Sequence, residues 1–148
     1  MQISSKSFAD NGAIPARFTC DGEDLNPELR ITGIPRETKT LALIMDDPDS
    51  PTGTWVHWVH FNLPTMGKTG LISEGTSPLG VSGQNTWGKL GYGGPCPGNG
   101  IHRYIFKIYA LDNELPLSEG ATKDDLLRAM QGHILDETEL IGRYERFA

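Results

Sequence analysis

Three runs of apolar and aromatic residues dominate the chain, at residues 41–45 (LALIM), 54–63 (TWVHWVHFNL) and 104–111 (YIFKIYAL). Each run is rich in β-branched, aromatic and aliphatic residues and is bounded by turn formers, a pattern typical of β-strands. The first run leads into an acidic turn at residues 46–51 (DDPDSP), whose two prolines lack the backbone N–H that a sheet needs. The pattern therefore predicts three strands, the first of which ends in a rigid acidic turn.

The remaining chain predicts loops, one helix and a final strand. Residues 80–101 contain eight glycines and two prolines, too many for regular structure, so a long shaped loop is expected there. A helix is predicted at about residues 122–131, because Thr122 can cap it and two acidic residues suit its first turn. For the tail at residues 134–147, Gly132 as a stop signal favours a strand over a continuation of the helix. These elements predict a mostly β fold, a sandwich or a barrel.

Length and composition indicate a single domain over residues 1–148, built around one core. The chain is 37% hydrophobic and 22% charged, which is typical of a globular protein rather than a disordered one. A net charge of −6 argues against nucleic-acid binding. There is no signal-like N-terminus and no apolar stretch near the ~20 residues that span a bilayer, so we expect a cytoplasmic protein without integral membrane association. Cys20 and Cys96 are expected to be free thiols in preference to one long-range disulfide.

Alternation along a strand sorts the polar side chains by face. In the second run it puts Trp55, His57, Val59 and Phe61 on one face, and Val56, Trp58, His60 and Asn62 on the other. Because the two histidines then point in opposite directions, they are not predicted to share a metal, and His60 is assigned to packing or the surface. In the third run His102, Tyr104, Phe106, Ile108 and Ala110 form a nearly apolar face, with Arg103 and Lys107 on the opposite, solvated or ion-paired face.

The acidic turn, two histidines and the glycine-rich loop could converge into one pocket. In that pocket His57 and His102 would supply N–H donors, and the backbone of Gly93 and Gly94 would add donors of the kind that cradle anions. The carboxylates of Asp47 and Asp49 would orient the imidazoles or meet a positive group of the ligand. The pocket is therefore predicted to bind a small anion or a zwitterion, with Trp87 in the loop as an anchor or lid rather than a stacking platform.

The segments DPDSP (47–51), WVHW (55–58) and GYGGPCPGNGIHRY (91–104) closely resemble the phosphatidylethanolamine-binding protein family, specifically its short prokaryotic Raf kinase inhibitor-like branch. The segments FTCDGEDLNPEL (18–29) and HILDETELIGRYER (133–146) resemble the same branch, so the resemblance covers nearly the whole chain. It implies a β-sandwich with a central antiparallel sheet, one or two short peripheral helices, and a small anion pocket at the strand ends.

The resemblance also implies which residues bind the ligand. Carried over position by position, the family's pocket residues fall on Asp47, Asp49, Trp55, His57, Pro95, His102 and Tyr104, to which the pattern above adds Gly94. It further implies cis X–Pro bonds in the acidic turn, with Asp47–Pro48 and Ser50–Pro51 as candidates. Many relatives carry an acidic residue where this chain has Thr54, so the resemblance leaves Arg103 without an identified ion-pair partner.

The primary expectation is a binding module without cofactor, metal or catalytic residues, for the phosphate or carboxylate of a head group or peptide. Two alternatives stay open: a hydrolase that uses a histidine base or a metal held by His and Asp, and a protease or kinase inhibitor that acts through its surface. The chain lacks GxSxG, P-loop, HExxH and GxGxxG motifs, which argues against an enzyme. Because short members of the family often pair, the resemblance favours a homodimer.

Overall fold

Nine strands and one α-helix make up the regular structure in the computed structural model, which describes residues 1–146. The strands are β1 (Gln2–Ser4), β2 (Gly12–Ala13), β3 (Leu29–Thr32), β4 (Thr40–Asp47), β5 (Trp55–Leu63), β6 (Gly70–Ile72), β7 (Val81–Ser82), β8 (Ile101–Leu111) and β9 (Ile134–Glu145), and the helix is α1 (Lys123–Met130). The predicted mostly β fold is confirmed.

Two sheets contain all of these strands. The larger sheet has the order β2-β9-β8-β4-β5-β7, in which β4, β5, β8 and β9 pair antiparallel and β2 pairs parallel to β9. The smaller sheet has the antiparallel order β1-β3-β6. The central antiparallel sheet of a sandwich, which the family resemblance implies, is therefore present.

The centre of the larger sheet is covered on both faces by two separate buried clusters, so the prediction of one core is wrong. On one face it packs against the smaller sheet, where Ile31 of β3 belongs to the same buried cluster as Met45, Trp58 and Phe106. On the other face β4 and β5 contribute to a second cluster that includes buried residues of α1. Strand β4 is buried at every position, as expected for a strand with a layer on each side.

The individual elements agree closely with the sequence pattern. Strands β4, β5 and β8 confirm the predictions at residues 41–45, 54–63 and 104–111, and α1 confirms the predicted helix. Thr122 caps α1 in a reciprocal capping box with Asp125. The tail forms β9 rather than a longer helix, while position 147 lies outside the described residues. Residues 83–100 form the expected long loop.

Strand β5 departs from simple alternation because it bulges. Met45 of β4 pairs with Trp58 and Asp46 pairs with Val56, which leaves His57 between them without a partner on β4. The predicted grouping of faces in β5 is therefore wrong. Val56 packs with Val59 and Phe61 in the second cluster, whereas Trp58 packs in the first.

The C-terminal half of β5 contains a second irregularity, where Asn62 adopts φ 55°. Its side chain donates to the carbonyl of Leu115 and accepts from the Leu115 amide, which fixes the connection that leads to α1. Within residues 1–146 no helix has both the length and the apolar character needed to cross a membrane.

Candidate functional site

A cavity of about 600 Å³ opens where β4, β5 and β8 meet the long loop. Six of the eight predicted site residues line it, namely Asp47, Trp55, His57, Gly94, His102 and Tyr104. The two histidine rings flank Tyr104, with ring centroids 5.2 Å (His57) and 6.4 Å (His102) from the tyrosine ring. The convergence that the sequence suggested is therefore present, although two predicted residues lie elsewhere.

His102 is held on both sides by acceptors. Its Nδ1 lies 2.7 Å from Asp47 Oδ2, and its Nε2 lies 3.1 Å from the carbonyl oxygen of Asn99. A carboxylate and a carbonyl only accept, so both bonds form together only when the ring carries two protons. Asp47 and His102 are both nearly buried, so both ring nitrogens of His102 face acceptors of the protein and neither is left for a ligand.

His57 is engaged by the loop in a different way. Its Nδ1 lies 2.7 Å from the carbonyl oxygen of Gly93, so Nδ1 carries the proton, and its backbone carbonyl accepts from the Gly93 amide at 2.9 Å. Burial lowers the pKa of His57, against the opposing effect of the neighbouring carbonyls and carboxylates. The ring is therefore neutral at pH 7, and its Nε2 offers a lone pair instead of the predicted N–H.

The predicted cradle of loop amides is also absent, because both amides are taken by the protein. Gly93 N–H donates to the His57 carbonyl, and Gly94 N–H donates to Asp24 Oδ1 at 2.9 Å. Any side chain here would collide with its neighbours: a Cβ on Gly93 would strike the Trp87 ring, and one on Gly94 would strike Asp24 and the backbone of Phe18. These glycines allow close packing of the loop rather than exposing donors.

Two other donors on the cavity wall remain unsatisfied. Trp55 Nε1 and the Tyr104 hydroxyl are shielded from water and have no hydrogen-bond partner among the described residues. Burial raises the pKa of Tyr104, so its hydroxyl stays protonated and able to donate. Buried polar groups without a partner are rare and destabilising, which distinguishes these two donors from the other polar groups of the cavity lining.

Asp49, a predicted site residue, is not among the residues that line the cavity. Its carboxylate accepts from Nε and Nη2 of Arg103 at 3.0 and 2.9 Å and from the Arg103 amide at 2.9 Å. These bonds lower the pKa of Asp49 to about 2. Asp49 is thus the partner of Arg103 that the sequence did not identify, and its carboxylate makes no hydrogen bond to His57 or His102.

The proline predictions also need correction. Pro95 is absent from the cavity lining, and its carbonyl accepts from the Cys20 amide at 3.1 Å. No cis peptide bond occurs in the described residues, so the expected cis bonds at Asp47–Pro48 and Ser50–Pro51 are not present. The turn closes instead through the Asp47 side chain, whose Oδ1 accepts from the Asp49 amide at 2.8 Å, as in an Asx turn.

A disulfide between Cys20 and Cys96 forms part of the cavity wall, so the prediction of two free thiols is wrong. The two cysteines are 76 positions apart in the sequence, and only the fold brings the N-terminal segment against the long loop. The bond therefore ties one side of the cavity entrance to the body of the protein.

The cavity rim includes residues that the sequence analysis did not select as ligand contacts. Trp87 packs edge-on against His57 and Trp55, with ring centroids 4.9 and 5.4 Å apart, which fits its predicted role as a loop anchor. The neighbouring Lys89 is exposed at the rim and makes no ion pair with any residue of 1–146. A lone lysine in a glycine-rich loop carries no sequence signal that would have singled it out.

The other histidines lie outside the cavity. His60 is buried, and its Nε2 lies 2.9 Å from the carbonyl oxygen of Leu79, so it has the packing role assigned to it. His133 Nδ1 lies 2.7 Å from Asp112. No cluster of three or more His, Cys, Asp or Glu side chains within residues 1–146 has the arrangement to hold a metal ion.

Comparison with known proteins places this geometry in a family. The family model described as phosphatidylethanolamine-binding protein matches residues 4–145. A UPF0098 protein of Methanothermobacter thermautotrophicus is 52% identical over 99% of both chains, and one of Chlamydia muridarum is 44% identical over 99% of both.

Solved structures agree with this assignment. The crystal structure of a putative phosphatidylethanolamine-binding protein homologue from Chlamydia trachomatis has a TM-score of 0.94 at 42% identity, and covers 99% of this chain and 97% of its own. E. coli YbcL, described as a new member of the mammalian family, has a TM-score of 0.88 at 26% identity, covering 99% and 98%. This chain belongs to the phosphatidylethanolamine-binding protein family.

Proposed function

We propose that the protein binds a small anionic group, a phosphate or a carboxylate, in the cavity beside Asp47 and His102. The observation that carries the proposal is the pair of unsatisfied donors, Trp55 Nε1 and the Tyr104 hydroxyl, on two residues that line the cavity. Both are neutral donors that are closed to water in the structure, so an anion would reach them through a small movement of the side chains that cover them and would then complete the hydrogen bonds that the protein leaves unmade.

The charges around the cavity support the same ligand chemistry. The hydrogen-bonded pair of His102 and Asp47 lines the cavity, and Lys89 adds an ammonium at the rim. The carboxylate of Asp24 also lines the cavity, so a ligand that carries a positive group beside its anion would meet charges of both signs. The family is named after phosphatidylethanolamine, whose head group has this zwitterionic character.

The direct test is isothermal titration calorimetry with inorganic phosphate and with phosphoethanolamine at pH 6. A hydrogen bond to a charged group contributes about 1.5–3 kcal/mol, so Tyr104→Phe is expected to weaken binding at least roughly tenfold. Tyr109→Phe is the matched control, because Tyr109 lies on the same strand but not in the cavity. The proposal fails if the wild-type protein binds neither ligand, or if Tyr104→Phe binds as tightly as Tyr109→Phe.

A hydrolase is the second candidate, and the orientation of His57 favours it. With Nδ1 bound to Gly93, the free Nε2 is the atom that a general base would use, and the hydroxyl-bearing Ser50 also lines the cavity. A screen with phosphatase and esterase substrates tests this candidate. Turnover that is abolished by His57→Asn and retained by His60→Gln would replace the binding-only proposal with an enzymatic one.

We also propose a cytoplasmic location. The Cys20–Cys96 disulfide restricts this proposal to a cytoplasm in which disulfides persist. Disulfides persist in oxidising compartments and are rare in the cytosol of mesophiles, whereas the cytosol of hyperthermophiles tolerates them. Cell fractionation combined with rapid alkylation of free thiols tests the location and the bond together. Recovery of the protein outside the cytoplasm would contradict the proposal.

A further inference from the structure

The hydrogen bond from His57 to Gly93 determines what the cavity can accept. Gly93 is held twice, by the ring Nδ1 at 2.7 Å and by the backbone carbonyl of His57 at 2.9 Å, so the proton on Nδ1 is fixed by the fold. In a neutral imidazole the other nitrogen then carries a lone pair. That nitrogen, Nε2, makes no hydrogen bond to any described residue and is the ring atom left for a ligand.

Groups on three sides act on the protonation of this ring. On β4, the carboxylates of Asp46 and Asp47 favour the charged form of His57. On β8, the Tyr104 ring packs edge-on against it, and His102 lies on the other side of contacts with Tyr104 and Asp47.

The long loop contributes the third side. Its carbonyls at Gly93 and Gly94 favour the charged form, Trp87 covers the ring edge-on, and Lys89 at the rim adds a positive charge. Burial opposes the charged form more strongly than these groups favour it, so the pKa of His57 is lowered.

A fully ionised anion has no hydrogen to donate to this lone pair. An oxygen of sulfate or dianionic phosphate placed at Nε2 would set one electron pair against another, which is repulsive. One added proton, either on Nε2 or on the ligand oxygen, converts the repulsion into a charge-assisted hydrogen bond. A bound anion also supplies the negative charge that makes protonation of the ring favourable.

We propose that the cavity takes up one proton, shared between His57 Nε2 and the ligand, with each fully ionised anion that it binds. This inference rests on the proposed anion binding and deepens it, because it makes His57 the residue that selects the protonation state of the complex. A ligand that already carries an acidic O–H, such as a monoanionic phosphate monoester, binds without further uptake from solution.

The test is calorimetry with sulfate, which remains a dianion throughout the range used, at pH 7.5 in buffers of different ionisation enthalpy. The dependence of the observed heat on the buffer gives the number of protons taken up, and about one per sulfate is expected. By linkage, the dissociation constant should then rise roughly tenfold per unit between pH 7 and pH 8.

Two variants assign the proton to its residue. His57→Asn retains an amide that can donate to the Gly93 carbonyl but removes the titrating nitrogen, so uptake should fall to zero and the pH dependence should disappear. His60→Gln is the matched control, because His60 is another buried histidine of the same strand with a pKa lowered by burial, and it lies outside the cavity. It should retain uptake of about one proton.

The outcomes separate this inference from the proposed function. Absence of binding of sulfate, phosphate and phosphoethanolamine at every pH from 5.5 to 8 would overturn the proposed function. Binding without proton uptake, or uptake that persists in His57→Asn, would overturn the inference alone. Nitrogen NMR of the His57 ring in the wild-type protein tests the inference even if His57→Asn does not fold. His57 Nε2 should be unprotonated without sulfate and protonated with sulfate bound.

Discussion

The imidazole of His102 lies between Asp47 Oδ2, 2.7 Å from Nδ1, and the Asn99 carbonyl oxygen, 3.1 Å from Nε2. Both neighbours are acceptors, so both ring nitrogens are directed at groups of the protein. This relationship gives His102 a different role from that of a ligand donor. It fixes the end of β4 to the beginning of β8 and to the long loop that precedes it.

The Asp47–His102 pair should be strongly coupled in stability. Removing one partner of a buried ion pair leaves the other uncompensated, so Asp47→Asn or His102→Gln alone should lower the free energy of unfolding by about 3 kcal/mol. The amide that replaces the carboxylate in Asp47→Asn retains an oxygen for the Asp49 N–H, which limits the change to the pair. Urea denaturation of the singles and the double variant should give a coupling of about 1–3 kcal/mol. Additive effects would show that the pair contributes nothing.

The prediction of the site from sequence was accurate where strands are regular. β8 pairs with β9 without a break from Ile101 to Ala110, so simple alternation correctly put His102 and Tyr104 on one face. In β5 the bulge at His57 shifts the alternation by one, and a bulge carries no sequence signal in a run without glycine. The face of His57 could not be predicted for that reason.

Long-range partners were the second limit of the sequence analysis. The Gly93 and Gly94 amides were predicted to face a ligand, but they bind the His57 carbonyl and Asp24, which are 36 and 70 positions away. The same holds for the disulfide and for Asp49 with Arg103. Local pattern identifies the residue types that a site needs, whereas the hydrogen bonds that occupy them are set by tertiary structure.

The buried histidines should make the protein less stable in mild acid. Burial lowers the pKa of His57 and of His60, so the unfolded chain, with a histidine pKa near 6.5, binds more protons than the folded protein just below that pH. The contribution of the two neutral histidines to the free energy of unfolding is complete above about pH 6.5. It is lost as the pH falls towards their lowered pKa values in the folded protein. Each histidine can add a slope of up to about 1.4 kcal/mol per pH unit.

The variant His60→Gln separates the contribution of His60 to this pH dependence from that of His57. The glutamine amide can donate to the Leu79 carbonyl as His60 Nε2 does, and it does not titrate. Between pH 5 and pH 7.5, the free energy of unfolding from urea titrations should therefore fall less steeply with acidification in His60→Gln than in the wild type. Parallel curves for the two proteins would contradict the assignment of a neutral, buried His60.

The Cys20–Cys96 bond should account for a large share of the stability, because it closes a loop of 76 positions in the unfolded chain. Chain-entropy arithmetic for a loop of that length gives about 4 kcal/mol. The variant Cys20→Ser/Cys96→Ser should therefore unfold at a lower urea concentration than the wild type. Reducing agent should lower the unfolding midpoint of the wild type to that of the variant and leave the midpoint of the variant unchanged. Equal stability of oxidised and reduced wild type, or two titratable thiols in the unreduced, unfolded chain, would contradict the bond.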